Sequence, residues 1–126
     1  MPKIKTGIPK LDELLEGGFP EDKSTCIFGP SNLGKSWFVR QVAHKFTEEE
    51  EGKTENKKVL YIDTEDELTK DIWKKFQRYF KARWPNCKPE NIIVETASDI
   101  IDLGLLFGIQ FEIKQEAERV SVLVKY

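Results

Sequence analysis

Gly29-Pro30-Ser31-Asn32-Leu33-Gly34-Lys35-Ser36 decides how this chain is read, because it meets the pattern G-x-x-x-x-G-K-[ST] at every fixed position. Glycines at its ends let backbone N–H groups curl around phosphate oxygens, and the lysine supplies a point charge to the β and γ phosphates. The Ser36 hydroxyl is expected as a ligand for Mg²⁺. A helix following the loop would turn its positive end toward the same anion, and Trp37, Phe38, Val42 and Phe46 recur at the spacing such a helix needs. Before the loop, Ser24-Thr25-Cys26-Ile27-Phe28 reads as a short buried strand. The cofactor cradle expected from this stretch is therefore Gly29, Pro30, Ser31, Asn32, Leu33, Gly34, Lys35, Ser36 and Trp37, with ATP and Mg²⁺ as its occupants.

Working outward, Thr6 to Gly18 reads as a short capped helix, with Pro9 in its first turn, leucines on one face and Gly17-Gly18 at its end. Val59-Leu60-Tyr61-Ile62 is a continuous apolar run of the kind buried in a parallel sheet, and acids appear where it stops: Asp63, Glu65, Asp66 and Glu67. Ligands of open α/β sheets bind beyond the carboxyl ends of the strands, so Asp63 and Glu65 would emerge beside the phosphate loop. Glu65 could orient or deprotonate a water that attacks the γ phosphate, or it could simply cap the next helix. Asp63 stands where a strand-end acid would assist the metal alongside Ser36.

Leu68, Ile72, Trp73, Phe76, Tyr79, Phe80 and Trp84 then form a packing stripe at helical spacing that Pro85 stops. The other face holds Lys70, Lys74, Lys75, Arg78, Lys81 and Arg83. It could follow a phosphate backbone, although a solvated face is the simpler reading. His44, the one histidine, is expected at the surface late in its helix. Asn91 to Glu95 reads as a third core strand, and Ser98 caps a helix over 99–107 that Gly108 ends. Ile109 to Lys114 and Arg119 to Tyr126 then read as a β-hairpin.

The 126 residues allow one domain with one core, 1–126. Lys+Arg 20 against Asp+Glu 22 gives a net charge of -2, so overall basicity does not announce nucleic acid. Cys26 and Cys87 have no metal-spaced partners and read as buried thiols of a reducing compartment. Neither a membrane-length apolar run nor a signal-peptide pattern is present, which leads to an expected cytoplasmic location.

The succession T-G-I-P-x-L-D-E-L-L-x-G-G-F-P, then G-P-S-N-L-G-K-S, then Val59-Leu60-Tyr61-Ile62-Asp63-Thr64-Glu65 resembles the RecA-superfamily ATPase core, in its archaeal RadA, RadB and KaiC-like branches. The resemblance implies an α/β three-layer P-loop NTPase fold with a mostly parallel sheet, to which the C-terminal hairpin is added. It implies catalytic roles for Lys35 and Glu65 and a link to DNA recombination, repair or regulation. The family's next strand ends in a Mg²⁺-assisting aspartate, whereas Val120 to Val124 is followed by Lys125 and Tyr126, so the core is expected to be truncated at that point. ATPase activity is accordingly expected to be weak or partner-dependent, with association into a homodimer through the C-terminal strands or with a RecA-like partner. A small P-loop kinase and a non-catalytic nucleotide-binding interaction module are the alternatives.

Overall fold

The computed structural model describes residues 3–28, 34–50, 52, 56–63, 70–96 and 119–125. In chain order these form β1 (Lys3–Ile4), α1 (Pro9–Leu14), β2 (Phe19–Pro20), α2 (Lys35–Phe46), β3 (Lys57–Asp63), α3 (Lys70–Arg83), a 3₁₀ turn (Pro89–Asn91), β4 (Ile92–Thr96) and β5 (Arg119–Lys125). The chain is an α/β protein. Its main sheet has the order β4-β3-β5, and both ladders are parallel. β1 and β2 make a separate antiparallel pair.

β3 lies at the centre because its sequence can be buried on both faces. Val59, Leu60, Tyr61 and Ile62 are each fully buried, as a strand between two parallel neighbours must be. Val59 and Tyr61 share one face of the strand, where they pack with Ala43 and Phe46 of α2 and Ile92 of β4; Trp73 of α3 and Val94 of β4 border this cluster. Register pairs Val59 with Ile92 and Asp63 with Thr96 on one side, and Lys57 with Arg119 and Asp63 with Lys125 on the other.

α2 and α3 meet through aromatic rings. Phe80, fully buried, stacks on Trp84 at 5.6 Å and 9°, and lies 4.6 Å from His44 and 5.3 Å from Trp37. The Arg40 guanidinium sits 4.6 Å above the Phe76 ring, a cation–π contact that gives this buried cation a partner.

The N-terminal turn is a latch built from the Thr6-to-Asp12 spacing. The Thr6 N–H and hydroxyl both donate to Asp12 Oδ1 at 2.8 Å, and the Ile8 N–H donates to the Thr6 hydroxyl at 3.1 Å. Gln41 Nε2 of α2 donates to the Thr6 carbonyl at 3.0 Å, tying the latch to the core. Gly7 has φ 86°, and a Cβ there would fall 2.7 Å from the Trp84 ring, so both backbone conformation and close approach require glycine. At the other end of α1 the Gly17 N–H donates to the Asp12 carbonyl at 2.7 Å, the helix stop expected of the glycine pair.

Four expectations change. Ser24 to Phe28 is not a buried strand: it has no ladder, all five residues are exposed, and Phe28 is 89% exposed. β propensity measures fit to a half-buried pleated surface, and among the described residues no strand pairs with this segment. His44 is fully buried, because α2 is enclosed from Arg40 to Val42 and onward by α3, well beyond its apolar stripe. Cys26 is exposed with the segment that carries it, while Cys87 is buried as expected. Arg119 to Lys125 is a strand, but it pairs in parallel with β3; the other arm of the expected hairpin, 109–114, lies outside the described residues, as does the expected helix over 99–107.

Candidate functional site

Of the expected phosphate cradle, Gly34, Lys35, Ser36 and Trp37 are described, while Gly29, Pro30, Ser31, Asn32 and Leu33 lie outside the described residues. Gly34 is the N-cap of α2 and adopts a left-handed conformation, φ 81° and ψ 16°, that a non-glycine residue rarely holds. A Cβ at Gly34 would meet nothing within 4 Å, so the glycine serves backbone geometry and not close packing. No side chain caps the helix. The first-turn N–H groups of a helix have no partner within it, and here Phe38 is the residue whose N–H closes the first bond, to the Gly34 carbonyl at 2.9 Å. The amides of Lys35, Ser36 and Trp37 thus begin a twelve-residue helix with its positive end uncapped by any side chain.

Lys35 and Ser36 are half-buried at this end. The Trp37 side chain packs onto α3: its ring lies 5.0 Å from Phe76 and 5.2 Å from Tyr79, both edge-on. A cofactor contact from Trp37 would accordingly run through its backbone N–H.

Asp63 ends β3 with 1% of its surface exposed, flanked in register by Thr96 of β4 and Lys125 of β5. The three strand ends lie side by side at the carboxyl edge of the sheet, where a ligand of an open parallel sheet is held. Lys125 stands beside Asp63 in the backbone ladder where the RecA-like pattern has an acid. Glu65 lies outside the described residues.

The donors present suit a magnesium–phosphate ligand better than a protein-only metal cage. Hydroxyl and carboxylate oxygens are hard ligands of the type Mg²⁺ prefers, and Mg²⁺ takes few of them when phosphates supply the rest. Among the described residues no group of three or more His, Cys, Asp or Glu side chains could hold a metal ion.

Sequence reading missed two features behind the site. One is the Thr6–Asp12 latch, for which the signal was a threonine, a glycine and an aspartate at fixed spacing. The other is His44, whose Nδ1–H donates to the Arg40 carbonyl at 2.7 Å while Nε2 finds no hydrogen-bond partner among the described residues. Burial pushes its pKa below the ordinary 6.5, outweighing the opposing effect of the Arg40 carbonyl. No apolar pattern along α2 distinguishes a buried histidine from an exposed one.

Among the described residues no helix is long and apolar enough to cross a membrane. A family model described as "ATPase: KaiC" matches residues 4–101. The chain is 33% identical over 96 residues to the DNA repair protein rhp57 of Schizosaccharomyces pombe, covering 76% of this chain and 27% of that protein. It is 42% identical over 62 residues to the DNA repair and recombination protein RadB of Thermococcus gammatolerans, covering 49% and 24%. A UPF0273 protein of Methanocaldococcus jannaschii is 44% identical over 45 residues, covering 36% and 19%. The chain spans about a quarter or less of the length of these relatives. With the matched region running from the latch through the uncapped helix to the parallel strands β3 and β4, the chain belongs to the KaiC ATPase family of RecA-superfamily P-loop proteins.

Proposed function

We infer that the chain binds ATP with Mg²⁺ at the loop Gly29 to Ser36 and hydrolyses it weakly alone or with the help of a partner. The observation that carries this reading is the uncapped start of α2 behind a left-handed Gly34, joined to a sequence that supplies lysine and serine at the next two positions. In it, the amides of the first turn hold phosphate oxygens and Lys35 neutralises charge on the β and γ phosphates. Ser36 gives a hydroxyl to the metal, and Asp63 orients the same shell from the strand end. Bound Mg²⁺ would offset charge shared between the phosphates. Glu65, two residues past β3, takes a proton from the attacking water.

A role in DNA repair or recombination is supported by the printed names of rhp57 and RadB, and is part of this proposal. So is a second copy or RecA-like partner meeting the chain at β5, whose outer edge carries no partner strand among the described residues. Sedimentation over a dilution series would report a monomer throughout if no such pairing occurs.

The test of the central reading is nucleotide titration. Lys35→Ala should abolish detectable ATP binding with an unchanged melting temperature, and equal affinity in variant and parent would remove the claim. Glu65→Gln should keep binding while turnover falls about 10²–10⁴-fold, the usual contribution of a positioned base. An unaffected rate would leave Glu65 as a helix cap.

A further inference from the structure

Charge in this molecule is strongly segregated. Six of the chain's 20 Lys+Arg and one of its 22 Asp+Glu fall within the fourteen residues of α3, so the helix carries +5 and the remainder −7. All six cations of α3 are exposed. Four of them, Lys70, Lys74, Arg78 and Lys81, follow one another at steps of four, four and three residues, which places them in a single row along one face. Successive members of that row rise about 6 Å along the helix axis.

The row borders an open groove of ≈ 700 Å³ between α3 and the turn that follows it, lined by Lys74, Gln77, Arg78, Lys81, Pro89 and Glu90. One of its cations is held in place, since Lys81 Nζ donates to the Cys87 carbonyl at 2.9 Å. Among the described residues no carboxylate pairs with Lys74 or Arg78. Like charges gathered at this spacing on a chain of net negative charge create a local positive field that attracts a polyanion.

We propose that this face of α3 is a track for the phosphate backbone of one nucleic-acid strand, held without reading its sequence. A strand of evenly spaced phosphates matches a straight, regular row of cations, and phosphate contacts position without specifying. An anionic membrane would call for apolar side chains to insert beside the cations. The exposed apolar residues of the helix, Ile72 and Tyr79, lie on the opposite flank of the row. The apolar residues lining the groove are Ala82 and Pro89, too few to seat the side chains of an acidic peptide. The track deepens the proposed role in DNA repair and rests on it to that extent, whereas ATP binding at the separate nucleotide loop is tested independently by the Lys35 titration.

The experiment is fluorescence anisotropy of labelled oligothymidylate with the full chain across a salt series. Four phosphate contacts predict a log–log slope of about −3 for a single strand. Lys74→Glu with Arg78→Glu should weaken binding at least about tenfold and roughly halve that slope. Lys5→Glu with Lys10→Glu changes net charge equally at two exposed sites outside α3 and should leave affinity within about twofold. The neutral pair Lys74→Gln with Arg78→Gln, checked by circular dichroism, guards against misfolding. An equal loss from the Lys5 and Lys10 pair would overturn the proposal. So would absence of binding at low salt, or tighter binding to polyglutamate or to phosphatidylserine vesicles than to oligothymidylate.

Discussion

α2 and α3 lie against each other and are of similar length, yet they treat their polar residues in opposite ways. α2 buries Arg40, Gln41 and His44, and each has a defined neighbour: the Phe76 ring, the Thr6 carbonyl and the Arg40 carbonyl. α3 has one fully buried residue, Phe80, and leaves every cation in water. Enclosed polar groups are costly unless satisfied, and here the satisfaction is partial, since Arg40 Nε and His44 Nε2 have no hydrogen-bond partner among the described residues. Exposed cations cost little, so α3 is free to carry charge for a partner. Both helices belong to one core, and the difference is which of them lies beneath the other's rings.

The largest effect on that contrast comes from its shared ring. Phe80→Ala should destabilise the protein by about 3–5 kcal/mol, because four aromatic neighbours lose a fully buried partner. Lys74→Ala, six residues earlier on the same helix, should stay within about 0.5 kcal/mol. Urea denaturation of the two variants measures both, and a comparable loss at Lys74 would break the division of labour within α3.

A smaller effect is expected at the latch that holds α1 to α2. Asp12→Ala leaves the Thr6 N–H and hydroxyl without their acceptor and should cost about 1–3 kcal/mol. Gly7→Ala should cost at least as much, through both its positive φ and the Trp84 ring. Thermal melts showing neither loss would mean that Gln41 is held by something other than this turn.

The smallest effect is one of pH. His44 has a folded pKa below 6.5 because the ring is buried, so the unfolded chain binds its proton more readily. Its contribution to stability is fully present above pH 6.5 and is lost as pH falls from there toward the folded pKa. His44→Phe should flatten the melting temperature over that interval relative to the parent; identical pH profiles would place the ring in contact with water.

The start of α2 was legible because its signal is local. A phosphate loop needs particular residues at adjacent positions, and Gly34, Lys35 and Ser36 occupy the start of a helix as their order requires. The α3 stripe was legible only in part: Phe80 is buried and Trp73 and Phe76 are half-buried, but Ile72 and Tyr79 of the same stripe are exposed. His44 and Ser24 to Phe28 were misread for the same reason as each other. Neither a histidine in a polar stretch nor five β-prone residues carries information about what will lie beside it.

The sequence by itself determined the helix stops, the apolar run of β3, the phosphate-loop spacing and the basic face of α3, all set by interactions within a few residues. Tertiary structure alone decided that β5 and β4 flank β3 in parallel, that Phe28 stays in water, that Gly7 lies under Trp84 and that His44 is enclosed. These depend on contacts between residues far apart in the chain, where burial and hydrogen-bond partners outweigh local propensity.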